Sequence, residues 1–153
     1  MKILVVCLGN ICRSPMAEGV LRHKFNEAGL EVELDSAGTS DYHIGERPDK
    51  RAMANMVKNG LDISMLRARQ FTVSDFDEFD HIYVMDQSNY INVVALARND
   101  ADKEKVDLFM NLGHPGENID VPDPYFGGED GFQNVYEMLS QSADVLISKL
   151  NGR

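Results

Sequence analysis

Lys2-Ile3-Leu4-Val5-Val6 runs directly into Cys7-Leu8-Gly9-Asn10-Ile11-Cys12-Arg13-Ser14-Pro15, and the reading of the whole chain turns on this join. Residues 2–6 form a short, branched apolar run, the pattern of a strand buried on both faces. Ser14-Pro15 is a helix start. Serine is a good N-cap, and proline suits the first helical position because its missing N–H would lack a partner there anyway. Between strand and helix lies a run of successive N–H groups, with Gly9 to ease the turn, suited to a concave nest for an anion. Arg13 adds a planar guanidinium able to hold two phosphate oxygens at once. Cys7 falls at the floor of that nest, where a field that attracts phosphate also favours thiolate over thiol and makes the sulfur nucleophilic. The Ser14 hydroxyl is placed to donate to that sulfur. The plainer alternative is a buried strand-end cysteine beside a surface arginine; a strand before the loop and a helix after it favour the nest.

Working outward, the first helix continues through Ala17, Val20, Leu21, Phe25 and Ala28 and stops at Gly29. Glu31 to Leu34 reads as a second strand, entering a small-residue loop, Asp35-Ser36-Ala37-Gly38-Thr39-Ser40. A helix follows Pro48, with Ala52, Met53, Met56 and Val57 on one face and Gly60 as its stop. His81 to Met85 is a third strand. Asp86 or Ser88 caps a helix reaching about Arg98, and Val106 to Met110 is a fourth strand. Phe132, Val135, Tyr136, Leu139, Ala143, Leu146 and Leu150 mark one face of a terminal helix. Gly113 to Gly131 is rich in Gly, Pro, Asp and Asn and reads as a long ordered loop of the kind that is usually functional. Asp75 to Asp80 reads as solvated surface, and Met53, Met56 and Met65 as packing. Alternating strands and helices imply a doubly wound, three-layer α/β fold in one domain, residues 1–153, with parallel strands and helices on both faces. Ligands of such sheets bind beyond the carboxyl ends of the strands, which directs attention to the loop after the first strand.

The chain has 153 residues, 15 Lys+Arg against 25 Asp+Glu, and a formal charge of −10. That balance argues against a broad nucleic-acid surface, which needs many cations to neutralise phosphates. Apolar residues at 43% and charged residues at 26% describe an ordinary globular chain rather than a disordered one. No apolar run approaches the ~20 residues of a membrane helix, and the N-terminal run is too short for an export signal. Two cysteines, Cys7 and Cys12, are too few for a secreted disulfide framework. The four histidines are scattered, with no pair at the i, i+4 spacing of a helical zinc site; no cofactor is expected. A cytoplasmic protein is the expectation.

The loop Cys7 to Pro15, together with Asp123-Pro124-Tyr125, resembles the low-molecular-weight protein tyrosine phosphatases. The resemblance extends over the whole chain, including Asp35-Ser36-Ala37-Gly38, Ala68-Arg69-Gln70 and Met85-Asp86. It implies a four-stranded parallel sheet and metal-independent hydrolysis of phosphotyrosine in proteins through a phosphocysteine. It also implies roles: Cys7 as nucleophile, Arg13 as phosphate clamp, Ser14 as thiolate donor and Asp123 as general acid, with Asn10 and Ser36 bracing the loop. Leu8, Gly9, Asn10, Ile11, Cys12 and Ser14 complete the phosphate-binding loop. By itself a lone Asp-Pro reads as a turn; beside the cysteine loop Asp123 reads as the acid. Tyr42, Tyr125 and Phe126, with Leu8 and Ile11 as apolar neighbours, are candidate walls for an aryl group, against a reading as ordinary packing.

Two positions qualify the resemblance. Cys12 is either a small buried hydrophobe or, as the resemblance favours, a partner that captures oxidised Cys7 as a disulfide. Leu66 stands where many relatives carry a histidine that helps to brace the phosphate loop, which puts that route of bracing in question. Other readings weighed are an arsenate reductase, which needs further cysteines in a later loop, and a protein arginine phosphatase, which has threonine at the place of Ile11. A phosphotyrosine-binding module without turnover and a Cys/His thiol hydrolase complete the set. The expected partner is a phosphotyrosyl protein, with no nucleic acid or membrane partner and the chain a monomer or weak dimer.

Overall fold

A computed structural model describes residues 1–125 and 127–152. The elements run in the order β1 (Lys2–Cys7), α1 (Arg13–Glu27), β2 (Glu33–Gly38), α2 (Lys50–Lys58), α3 (Asp75–Glu78), β3 (His81–Val84), α4 (Gln87–Val94), α5 (Asp100–Glu104), β4 (Val106–Leu108) and α6 (Glu129–Leu150). The four strands form one parallel sheet in the order β2-β1-β3-β4. The expected α/β class is therefore the observed one.

Because successive side chains of a strand point to opposite faces, β1 feeds two cores. Ile3, Val5 and Cys7 join Met16, Val20 and Leu21 of α1, Ala52 and Met56 of α2, and Val135, Leu139 and Ala143 of α6. Leu4 and Val6 face the other way, against Phe76 of α3, Val93 of α4 and the β3 residues Ile82 and Val84. All of β1 from Ile3 to Val6 is fully buried, and burial of each such side chain contributes about 1.5–3 kcal/mol. The strand order reverses at β1, with β2 on one side and β3 on the other, so the loop after Cys7 opens at the switch point.

Several local expectations are corrected. The stretch from Asp35 to Gly38 is not loop but the end of β2, paired with β1 as far as Cys7 opposite Gly38. Small residues are required there: a Cβ on Gly38 would lie 2.7 Å from the Leu8 carbonyl oxygen. Ser14 is not the N-cap of α1; Cys12 holds that position without a side-chain bond, and the serine hydroxyl turns inward instead. The helix after β3 ends at Val94, and Asn99 caps a separate α5 by accepting from the Asp102 N–H. β4 stops at Leu108 and a 3-10 turn, Phe109–Leu112, follows. The acidic run is not all surface: Phe76 is fully buried and Asp75 nearly so, tied to Arg69. Met65 and Val57 are exposed rather than packed. Among the described residues no helix is long and apolar enough to cross a membrane.

Candidate active site

Cys7 ends β1 and is buried at the base of a cleft of about 600 Å³, counting its open mouth. The chain then wraps around its sulfur. The Asn10 N–H donates to Cys7 Sγ at 3.3 Å, and the Ser14 hydroxyl lies 3.0 Å from it. Curling the loop this tightly puts Asn10 at a φ of 57°, a conformation that asparagine tolerates better than most residues with a side chain. Its side chain then locks the loop. Asn10 Nδ2 donates to Ser14 Oγ at 2.7 Å and to Ser36 Oγ at 3.0 Å, while Oδ1 accepts the Arg69 N–H at 3.0 Å. Ser36 reaches the loop because β2 continues alongside β1.

Bracing from the stretch around Leu66 takes a different form from the one in question above. Leu66 packs against the core. Arg69 supplies the backbone N–H and is itself fixed by Asp35 (3.0 Å) and by both oxygens of Asp75 (3.0 and 3.1 Å). Arg69 entered the sequence reading only as part of the resemblance and Asp75 only as solvated surface; a buried aspartate six residues after an arginine gave no local signal of this pairing.

Arg13, the first residue of α1, is 2% exposed. Its Nη1 donates to Asp86 at 2.6 Å and to the Val121 carbonyl at 2.9 Å; its Nη2 lies 3.6 Å from Asp123 Oδ2. Burial opposes the guanidinium charge, but Cys7, Asp86 and Asp123 outweigh it, so Arg13 titrates above its ordinary range. In the sequence Asp86 was legible as a helix cap and as part of the resemblance, not as a partner of Arg13. It is a cap, in a capping box with Asn89, and its second oxygen holds Arg13.

Asp123 sits between Pro122 and Pro124 in the long loop, its carboxyl about one third exposed. Oδ1 accepts the Tyr125 N–H at 3.0 Å. The loop is fastened to the sheet by the Val121 N–H, which donates to the Met85 carbonyl at 2.8 Å. Leu8, Gly9, Ile11, Cys12, Tyr42 and Tyr125 line the cleft with these residues. Ile11 is 8% exposed and walls the lower part, whereas Tyr42 is 72% exposed and stands at the rim. Phe126 lies outside the described residues. His43, read in the sequence only as one of four scattered histidines, also lines the cleft; its ring edge is packed on Gly9, where a Cβ would lie 3.0 Å away, and its Nδ1 is 2.9 Å from Glu46. Cys7 and Cys12 are both free, and burial, reinforced by Asp49, pushes the Cys12 thiol up, well beyond its ordinary range.

A thiol that accepts a loop N–H at the switch point of a parallel sheet, with a buried arginine on the same loop, defines a class of α/β proteins with their ligand loop after the first strand. Residues 2–153 match the family model described as low molecular weight phosphotyrosine protein phosphatase. The Schizosaccharomyces pombe protein of that name is 45% identical over 141 residues, which span 90% of this chain and 89% of its own. Among solved structures, a protein tyrosine phosphatase from Entamoeba histolytica, with Hepes in its active site, superposes with a TM-score of 0.93 at 37% identity, covering 99% of this chain and 97% of its own. An arginine phosphatase from Drosophila gives a TM-score of 0.90 at 31% identity, covering 98% of each chain. The chain belongs to the low molecular weight phosphotyrosine protein phosphatase family, whose members are enzymes.

Proposed function

We propose that this protein hydrolyses phosphotyrosine in proteins, and small aryl phosphates, through a phosphocysteine on Cys7. The observation that carries the reading is the convergence on one cleft of the Cys7 sulfur, the Asn10 N–H, the Ser14 hydroxyl, the Arg13 guanidinium and the Asp123 carboxyl. The Cys7 thiolate attacks phosphorus, an S–P bond forms, and the P–O bond to the aryl group breaks. Asp123 gives its proton to the departing phenol oxygen. The loop N–H groups and Arg13 hold the equatorial oxygens, a preset electrostatic frame of the kind that usually supplies the largest part of catalysis. Water then attacks phosphorus, passes a proton to Asp123, and releases inorganic phosphate with Cys7 restored as thiolate.

The Ser14 hydroxyl has a single proton and two acceptors to choose from, Cys7 Sγ at 3.0 Å and the Ala37 carbonyl at 3.4 Å. Asn10 Nδ2 already occupies one of its lone pairs, which directs the proton toward the sulfur when thiolate is present. Ile11 and the rim tyrosines Tyr42 and Tyr125 offer carbon surface to a flat ring, which supports an aryl ester over phosphoarginine; phosphoarginine should be turned over at least about tenfold more slowly. One domain carries the activity, as a monomer or weak dimer acting on phosphotyrosyl proteins. A nucleophilic thiol with a second free thiol nearby favours a reducing compartment, the cytoplasm.

The test is single-turnover quenching with an aryl phosphate and no added metal, followed by peptide mapping. Phosphate on the peptide containing Cys7 is expected. Label on another residue, or turnover retained by Cys7→Ser, would overturn the reading.

A further inference from the structure

Arg51 lies on α2, outside the phosphate loop and outside the loop that carries Asp123, yet it bonds the second directly and is joined to the first through Asp49. We infer that Arg51 is a positioning residue that fixes the aim of the Asp123 carboxyl, with Asp49 as its anchor. This inference rests on the reading of Asp123 as the acid.

Four links carry it. Arg51 Nη2 donates to the Tyr125 carbonyl at 2.8 Å and Nη1 to the Gly127 carbonyl at 3.4 Å, and its guanidinium lies 5.4 Å from the centre of the Tyr125 ring. Tyr125 is also the residue whose N–H holds Asp123 Oδ1 at 3.0 Å. One peptide unit on either side of the same Cα therefore links clamp to acid. Along its Nε–Nη2 edge Arg51 is held by a fork on Asp49, with Nε to Oδ1 and Nη2 to Oδ2 both at 3.1 Å, so that Nη2 serves Asp49 and Tyr125 together. Asp49 is in turn bonded to the phosphate loop: its N–H donates to the Ile11 carbonyl at 2.8 Å.

The chain Ile11–Asp49–Arg51–Tyr125–Asp123 sets the acid loop relative to the cup that holds phosphate. The leaving oxygen must meet both, and misplacement by about 1 Å can cost as much as 100-fold in rate. The Phe132 ring, 4.9 Å from the guanidinium on its other contact, fixes the arginine's plane. A lysine keeps the charge but not the fork.

The test is kcat/KM, which reports phosphocysteine formation, for phenyl phosphate and 2,4-dinitrophenyl phosphate. For Arg51→Ala the phenyl ester should fall about tenfold and the dinitrophenyl ester less than about twofold, because only the poor leaving group needs the proton. Arg51→Lys should fall between the parent and Arg51→Ala. Added to Asp123→Ala, Arg51→Ala should cause less than about a twofold further loss on the phenyl ester. Equal losses on both esters, or full multiplication on Asp123→Ala, would overturn the inference and leave Asp123 standing. Should Asp123→Ala itself show no dependence on leaving group, the reading of the acid fails and takes this inference with it. Should Arg51→Ala fail to fold, Arg51→Lys and Asp49→Asn are read out in the same way.

Discussion

Arg13 and Asp86 meet at 2.6 Å across the sheet's switch point, joining the first turn of the helix after β1 to the cap of the helix after β3. The bond uses one terminal nitrogen of the guanidinium, which also reaches the Val121 carbonyl, and leaves Nη2 on the side of Asp123. A buried arginine is thus oriented as well as neutralised.

Removal of that partner should be costly. Asp86→Ala takes away a helix cap, about 1 kcal/mol, and leaves a buried cation without its carboxylate, for which losses of about 3–5 kcal/mol are typical. Asp86→Asn retains a cap acceptor and loses only the charge. Thermal melts should rank parent above Asn above Ala, and inhibition by vanadate should weaken in the same order. Unchanged vanadate affinity in both variants would separate Asp86 from the orientation of Arg13.

The Asn10 side chain should matter separately from its backbone. Asn10→Gly keeps the φ of 57° at no steric cost but loses the three side-chain bonds to Ser14, Ser36 and the Arg69 N–H. Asn10→Ala loses the same bonds and adds about 1–2 kcal/mol of strain. Both variants should lose roughly 10- to 100-fold in kcat/KM, because the cup's donors are no longer preset, and Ala should melt below Gly. Equal melting would remove backbone strain from the account.

The two cysteines should differ in alkylation. Burial and the neighbouring Asp49 push the Cys12 thiol up, so it stays protonated at pH values where an ordinary cysteine has ionised. Iodoacetamide at neutral pH should label Cys7, with phosphate protecting it, and Cys12 should remain unlabelled in the native protein even near pH 10. Peptide mass spectrometry reads the outcome, and fast labelling of Cys12 would contradict it.

Acid should loosen the Asp49 anchor. Burial works to raise the Asp49 carboxyl, but the bonds from the Arg51 side chain and backbone outweigh it and hold it below the ordinary aspartate value. A carboxyl depressed in the folded state contributes stability that is complete above the unfolded value, about 3.9, and is lost as pH falls through the folded value. Asp49→Asn should therefore melt on the order of 2–4 °C below the parent at neutral pH, and the gap should close toward the acid limb. A gap that is constant with pH would mean that charge is not what Asp49 contributes.

The cup was legible in the sequence because it is built from consecutive residues. An apolar strand, a glycine-eased turn and a proline-marked helix start stand next to one another from Lys2 to Pro15, so local stereochemistry alone brings Cys7, the loop N–H groups and Arg13 together. Asp123 was legible only through its family resemblance, since an aspartate between prolines has a turn as its plainest reading. Leu66 was legible as a departure, but not that Arg69 would supply the bracing N–H in its neighbourhood.

Sequence by itself determined the strand–helix alternation, the parallel sheet and the place of the cysteine–arginine loop after the first strand, from which the proposed chemistry is argued. Tertiary structure decided what surrounds that loop: Asp86 from 73 residues beyond Arg13, the Arg69 N–H from 59 beyond Asn10, His43 against Gly9, and the small residues at the end of β2. The reason lies in range. Dihedral preferences and capping act over a few residues, whereas the partners of a buried charge are chosen by strand register, which no single stretch of the chain contains.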